Sequence, residues 1–242
     1  MEKQSADIVV LCGGLGTRLQ SVIHDRPKPM VQINGRPFLD LVVDRVVSQG
    51  FRRVIFCTGH HGEWIAQHFM GRNDIEAVIS HEQQARGTAG ALRACRQQVR
   101  TSTIVVLNGD SICLVDLPHL LMEHDRRRAA VTVAVVQTDG RRDGGGIAID
   151  TCGRITSFQE KTEGPYLSAG IYALDTAFLE HIPDGIPVSL EIDIFPAHVG
   201  RGMFAHVTDA PLHDIGTPAR LEAFRKYMAP SIAPQVERIA SC

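Results

Sequence analysis

Residues 11–30 read LCGGLGTRLQSVIHDRPKPM and follow directly on the apolar run Ile8-Val9-Val10-Leu11. Asp7–Cys12 therefore reads as a buried strand that empties into a glycine loop holding Gly13, Gly14 and Gly16. Arg18 comes next, and Lys28 then stands between Pro27 and Pro29. A glycine turn after a strand leaves backbone N–H groups with no Cβ in front of them, which suits phosphate oxygens. A turn that only closed a strand–helix junction would explain the glycines but neither cation. The loop thus predicts a bulky anionic ligand at the C-terminal end of the first strand.

Two familiar phosphate loops fail here. A Walker A loop needs Gly-Lys-Ser/Thr, whereas Gly16 is followed by Thr17-Arg18. The dinucleotide fingerprint would start at Gly14, but its last position is Leu19, and no acidic residue ends a second strand near position 35.

Outward from the loop, apolar β-rich runs alternate with helical patterns. Arg53–Cys57, Ile75–Ser80 and Thr103–Leu107 read as strands, and Phe38–Gln49, Gly62–Met70, Thr88–Gln98 and Leu117–Arg127 as helices. That alternation predicts βαβ units, a mostly parallel sheet, and a site outside the strand C-terminal ends. The second half changes character, with strands at Val131–Gln137, Gly146–Asp150, Arg154–Gln159 and Tyr166–Leu174 and few helices between them. The expected fold is an α/β, Rossmann-like, mostly parallel or mixed sheet flanked by helices, with a small antiparallel extension. Two helical patterns, Leu190–Gly200 and Pro218–Tyr227, close a single domain over 1–228, and 229–242 reads as a tail.

Composition narrows the function. With 242 residues and 44% hydrophobic content the chain supports a full core. Its 25 basic and 27 acidic side chains leave a net charge of -2, which gives no reason to expect nucleic acid or an anionic membrane as partner. No apolar run approaches the ~18 residues of a membrane span. The polar start MEKQSAD predicts no secretory signal, and the six scattered cysteines read as mostly buried thiols of a cytoplasmic protein. The histidines show no metal-binding spacing, so zinc is not expected.

LCGGLGTRL followed by RPKPM resembles the signature of the sugar-1-phosphate nucleotidyltransferases, G-G-x-G-[ST]-R-L…P-K-P. HEQQARGTAGAL, LNGDS, FQEKT, LSAGIYAL, SLEIDIFP and HDIGTP resemble that family's later segments in the same order, so the likeness covers about residues 6–227. It implies a nucleotide-diphospho-sugar transferase fold, with a nucleotide part over about 1–130 and a sugar part over about 131–228. The implied reaction is attack by a sugar 1-phosphate oxygen on the α-phosphorus of a nucleoside triphosphate, with release of pyrophosphate. Two polyanions must meet, so positioned cations and Mg²⁺ would carry the catalysis, with little covalent work for the protein.

In that reading Leu11, Gly13, Gly14, Gly16 and Thr17 wrap the nucleotide, with Gly87, Thr88, Asn108 and Gly109 completing its site. Arg18 grips the leaving β/γ end. Lys28, restricted by its flanking prolines, reaches the α-phosphate or the sugar phosphate. Asp110, at the end of the strand that runs into Asn108, and Asp214 in HDIGTP would hold Mg²⁺. A turn-forming role competes at Asp214, because Thr217 and Pro218 read as a helix start. The resemblance also implies that Lys161 contacts the sugar phosphate. Glu160, on the same expected strand and facing the other way, would contact the sugar with Gly145, Ser168, Ala169, Gly170 and Glu191. Capping competes as an explanation of Glu191. Ser168 stands where the family usually has Asn.

Glu82 lies five residues before Gly87, the spacing of the family's base reader. A carboxylate only accepts hydrogen bonds, and guanine offers two adjacent donors, N1–H and the 2-amino group. Uracil and thymine offer one N–H between two carbonyls. This favours GTP, with Gln83 and Gln84 as alternative readers. GGLGTRLQSVIHDRPKPM, NGRPFLD and SLEIDIFP together most resemble the D-glycero-D-manno-heptose 1-phosphate guanylyltransferases, which implies a nucleotide-sugar made for capsule or surface polysaccharide and a possible homo-oligomer. Mannose 1-phosphate, or another uridylyl, thymidylyl or cytidylyl transfer, stays open as an alternative. So does a non-catalytic nucleotide-sugar-binding regulator, against which the joint retention of Arg18, Lys28, Asp110, Lys161 and Asp214 argues.

Overall fold

The computed structural model describes residues 6–14, 17–19, 25–138, 146–160 and 162–229. In chain order the strands and helices are β1 (Asp7–Leu11), β2 (Gln32–Ile33), β3 (Arg36–Pro37), α1 (Phe38–Ser48), β4 (Arg53–Thr58), α2 (Gly62–Phe69), β5 (Glu76–His81), α3 (Gly87–Cys95), β6 (Thr103–Asn108), β7 (Ser111–Cys113), α4 (Leu117–Arg127), β8 (Val131–Gln137), β9 (Gly146–Ile149), β10 (Ile155–Gln159), β11 (Tyr166–Asp175), α5 (Phe195–His198), β12 (Met203–Val207), β13 (Leu212–Asp214) and α6 (Pro218–Tyr227).

β1 lies between β4 and β6, all parallel, and β5 extends that side. β11 runs antiparallel to both β6 and β8 and joins the second half to the same nine-stranded sheet. Alternate residues of each central strand enter opposite faces: Ile8 and Val10 pack in one core cluster and Val9 in the other. Both faces are covered, which is why these strands read as unbroken apolar runs. The mixed α/β sheet expected from the sequence is the observed one.

Some expectations need correction. The helix expected over Leu190–Gly200 is a π-turn, Leu190–Ile194, followed by the single turn of α5. Pro196 explains the change: its ring crowds the carbonyl four residues back, and the ladder widens so that Ile194 N donates five residues back to Ser189 O at 3.1 Å. α3 ends at Cys95 and tightens into a 3₁₀ turn, Arg96–Gln98. Glu160 lies in a turn past the end of β10, so the opposite-facing strand argument for it does not hold. Cys152 is exposed, while Cys12, Cys57, Cys95 and Cys113 are buried. Gly16, the side chain of Thr17, Gly145 and Lys161 lie outside the described residues.

Candidate active site

The loops after β1, β5 and β6 meet above the sheet, as expected for parallel strands. Cys12 N donates to Cys57 O at 2.8 Å and Gly109 N to Leu11 O at 3.0 Å, so the glycine loop leaves the sheet braced on both sides. A Cβ on Gly109 would meet that same Leu11 oxygen at 2.8 Å, so the close approach requires glycine here. A cleft of about 510 Å³ opens above these loops. Leu11, Gly13, Gly14, Arg18, Lys28, Glu82, Gly87, Thr88, Asn108 and Asp110 all line it. A smaller apolar groove of about 120 Å³ beside Phe224 and Tyr227 carries none of the expected site residues.

Lys28 opens a short 3₁₀ turn, Lys28–Met30, anchored by buried Pro29 and Met30. Its stem is thereby pinned, and Nζ donates to Asp110 Oδ2 at 2.5 Å. The cation expected to face phosphate is thus ion-paired with a carboxylate expected to face metal. Lys28 is the more enclosed partner, at 14% side-chain exposure against 41% for Asp110.

A two-stranded sheet brings the second carboxylate to the same rim. β13 pairs antiparallel with β7, placing Asp214 opposite Ser111, and Ile215 N donates to Asp110 O at 3.0 Å. Asp214 Oδ1 accepts from Gly216 N at 2.9 Å and from Arg220 Nη1 at 3.1 Å. Thr217 caps α6 by accepting from Arg220 N at 3.3 Å, so the helix start read from the sequence forms beside Asp214. Among the described residues no group of three or more His, Cys, Asp or Glu side chains forms a metal cage. Two hard carboxylates at the rim of an open cleft fit Mg²⁺, which keeps its waters and shares phosphate oxygens.

Glu82 occupies the other end of the cleft. Its Oε1 lies 2.7 Å from where a Gly13 Cβ would stand, so the glycine makes room for the carboxylate. Its Oε2 is buried with no hydrogen-bond partner. Burial raises the Glu82 carboxyl above its ordinary value, opposed by hydrogen bonding from the Arg86 backbone and by the charges of Arg86 and His81. Gln83 and Gln84 are exposed and do not line the cleft.

Three of the residues expected to read sugar, Glu191, Ser168 and Gly170, belong to one hydrogen-bond network. Glu191 Oε2 accepts from Thr88 Oγ1 at 2.8 Å and Ser189 Oγ at 3.0 Å, and Oε1 accepts from the Tyr172 hydroxyl at 3.2 Å. Ser168 Oγ donates to that tyrosine oxygen at 3.2 Å and accepts from Gly170 N at 3.2 Å. Gly170, with φ +71°, sits at the register shift of β11 against β8, where a Cβ would meet Ser111 Oγ at 2.8 Å and Asn108 Nδ2 at 2.9 Å. Asn108 Oδ1 is buried and accepts no hydrogen bond. Ala169 is buried in the core and does not line the cleft. Tyr172 and Arg220 are site residues that the sequence reading missed; a cation in the first turn after Thr217-Pro218, where an acid is the rule, is the signal that could have found Arg220.

The nucleotidyl transferase family model matches residues 7–228. The chain is 32% identical to a mannose-1-phosphate guanylyltransferase of Mycobacterium tuberculosis, over 97% of this chain and 67% of that protein. It is also 32% identical to a D-glycero-alpha-D-manno-heptose 1-phosphate guanylyltransferase of Aneurinibacillus thermoaerophilus, over 88% of this chain and 94% of that one. The crystal structure of HddC from Yersinia pseudotuberculosis complexed with GMP-PN superposes with a TM-score of 0.81 at 28% identity, covering 93% of this chain and all of that one. Motifs, sheet order and relatives agree: the chain belongs to the nucleotidyl transferase family and is a sugar-1-phosphate nucleotidyltransferase.

Proposed function

We propose that the enzyme transfers GMP from GTP to D-glycero-D-manno-heptose 1-phosphate, releasing pyrophosphate and forming a GDP-sugar. The observation that carries the guanine reading is Glu82 Oε2, a buried acceptor without a donor on the wall of the cleft. Guanine presents two adjacent donors to such a carboxylate and uracil does not. Mannose 1-phosphate is the second reading, favoured by the 32% identity to a mannose-1-phosphate enzyme.

A phosphate oxygen of the sugar 1-phosphate attacks the α-phosphorus, and the bond from that phosphorus to the bridging β-oxygen breaks. The backbone of Gly13 and Gly14, continued through Gly16 and Thr17, holds the triphosphate with Leu11, Gly87, Thr88, Asn108 and Gly109 around the nucleoside. Arg18 binds the departing pyrophosphate. Lys28 orients the attacked phosphate and offsets the charge that builds there. Asp110 and Asp214 would hold Mg²⁺. When bound, Mg²⁺ would neutralise phosphate charge shared between the two substrates. Lys161 meets the sugar phosphate, and Gly145, Glu160, Ser168, Gly170, the Ala169 backbone and Glu191 meet the sugar. The hydroxyls of Tyr172 and Thr88 fix the rotamer of Glu191. No helix among the described residues is long and apolar enough to cross a membrane.

The test is pyrophosphate release from GTP, UTP, dTTP and ATP, each with heptose, mannose, glucose and galactose 1-phosphates. Highest kcat/KM with GTP and the heptose is expected. Preference for mannose 1-phosphate would install the second reading, and preference for UTP would overturn the guanine argument.

A further inference from the structure

The start of α6 breaks a local rule. Thr217 is its cap, and Arg220 stands three residues on, where a capping box carries Glu or Gln. The first turn holds no acidic residue. A cation there opposes the helix dipole, and such violations beside a cleft point to a compensating interaction. Asp214 supplies it, through the contact from Arg220 Nη1 at 3.1 Å. Across Gly216 the same pattern repeats with Lys28 and Asp110 at 2.5 Å. A Cβ on Gly216 would lie 3.7 Å from Lys28 Nζ and 3.8 Å from Arg220 Nη1, so both cations border one stretch of cleft wall. Each carboxylate of the candidate metal pair therefore carries a cation of its own.

We propose that Arg220 is a positioning residue that sets metal occupancy: its guanidinium competes with the divalent ion for Asp214, so that metal is retained when substrate phosphates share it. The inference rests on Asp110 and Asp214 being the metal ligands. A double charge placed about 5 Å from a unit charge of the same sign loses about tenfold in affinity even at the dielectric constant of water, and more in a partly enclosed cleft. Triphosphate brings the opposite charge, cancels that repulsion, and makes metal and nucleotide arrive together. Departure of both products, pyrophosphate and the GDP-sugar that keeps the α-phosphate and the sugar phosphate, would restore the repulsion and favour release of the ion. A merely structural ion pair predicts the reverse sign, because loosening Asp214 would weaken metal binding.

The experiment titrates Mn²⁺ alone into the protein, without nucleotide or sugar, and follows the free ion by electron paramagnetic resonance. Arg220→Gln should bind Mn²⁺ about tenfold more tightly than the parent. Arg220→Lys, which keeps the charge, should stay within about threefold of the parent. Asp214→Asn should bind more weakly. If Asp214→Asn weakens binding while Arg220→Gln leaves it unchanged or weaker, the competition is refuted and the ligand assignment stands. Arg220→Lys tightening as much as Arg220→Gln would also refute it, since charge would not be the cause. If Asp214→Asn binds Mn²⁺ as the parent does, Asp214 is not a ligand and the inference falls with that reading.

Discussion

Glu82→Gln is the sharpest perturbation of the guanine reading. In the folded protein Oε2 is buried without a donor, and Oε1 packs over Gly13. Leaving a buried acceptor unpaired costs about 1–3 kcal/mol. Guanine N1–H and the 2-amino group, donated to the two oxygens, relieve that cost and add charge-assisted hydrogen bonds. The amide keeps the shape but turns one acceptor into a donor, which then faces a guanine N–H. Losing one charge-assisted bond is worth ~1.5–3 kcal/mol, so kcat/KM for GTP should fall about ten- to a hundredfold. The amide can donate to a uracil carbonyl, so the GTP-to-UTP ratio should fall as well. The assay is kcat/KM for GTP, UTP, dTTP and ATP on both proteins with one sugar 1-phosphate. An unchanged GTP-to-UTP ratio would refute base reading by Glu82. Stability gives a second readout of the same carboxyl. Because burial raises its pKa above 4.5 in the folded state, the native protein holds that proton more tightly than the unfolded chain. The parent therefore loses stability as pH rises from about 4.5 through the raised folded value, and Glu82→Gln does not. The Tm difference should shift in favour of the variant between pH 4.5 and neutrality; no shift would mean that burial does not penalise this charge.

Three further outcomes follow from the cleft. In Gly13→Ala the new Cβ would meet Glu82 Oε1 at 2.7 Å, and the flexible carboxylate gives way before the backbone does; base discrimination should fall about as far as in Glu82→Gln while Tm moves by less than about 4 °C, measured by the same nucleotide panel and thermal unfolding. Lys28→Ala should lower kcat by about 10²–10³ with a much smaller change in KM for GTP, and an equal loss in GTP binding would make Lys28 a clamp on the bound nucleotide. Activity should require a divalent ion and collapse in Asp110→Asn, measured as pyrophosphate release with and without a chelator; a variant within a few-fold of the parent would remove Asp110 from the mechanism.

The sequence was readable where contiguous residues do the work. β1, β4 and β6 are buried on both faces, so their apolar runs needed no partner to be recognised. Gly13 and Gly14 of the glycine loop, Lys28 between its prolines, Glu82 and Asp110 each belong to a single strand-to-loop segment, and all of these meet in one cleft. β12 stayed hidden because His206 interrupts its apolar pattern; the imidazole is buried and shares a 2.8 Å hydrogen bond with Glu123 of α4, a partner no local window contains. The β2–β3 hairpin turns on Asn34-Gly35, both at positive φ, a pair left unread in the sequence because the flanking strands are only two residues long and carry no period.

The harder part is the pairing that makes a site out of separate motifs. β7 and β13 have three residues each, too short to announce themselves, yet their register alone sets Asp214 opposite Ser111 and draws Ile215 onto the Asp110 carbonyl. Each Asp could be proposed from its own loop. That each is matched to a cation of this chain could not, because Lys28 is 82 residues from Asp110. The Arg220–Asp214 pair spans only six residues and was still missed, because the residues between them were read as a helix cap. The ion pairs therefore decide a point that motif reading leaves open: without substrate the two carboxylates are already partly neutralised, so the cleft offers a divalent ion less negative charge than two lone aspartates would. With Asp110 and Asp214 as the ligands, metal retention would depend on the phosphates that enter with it, which is how the electrostatics of the cleft would tie the ion to turnover.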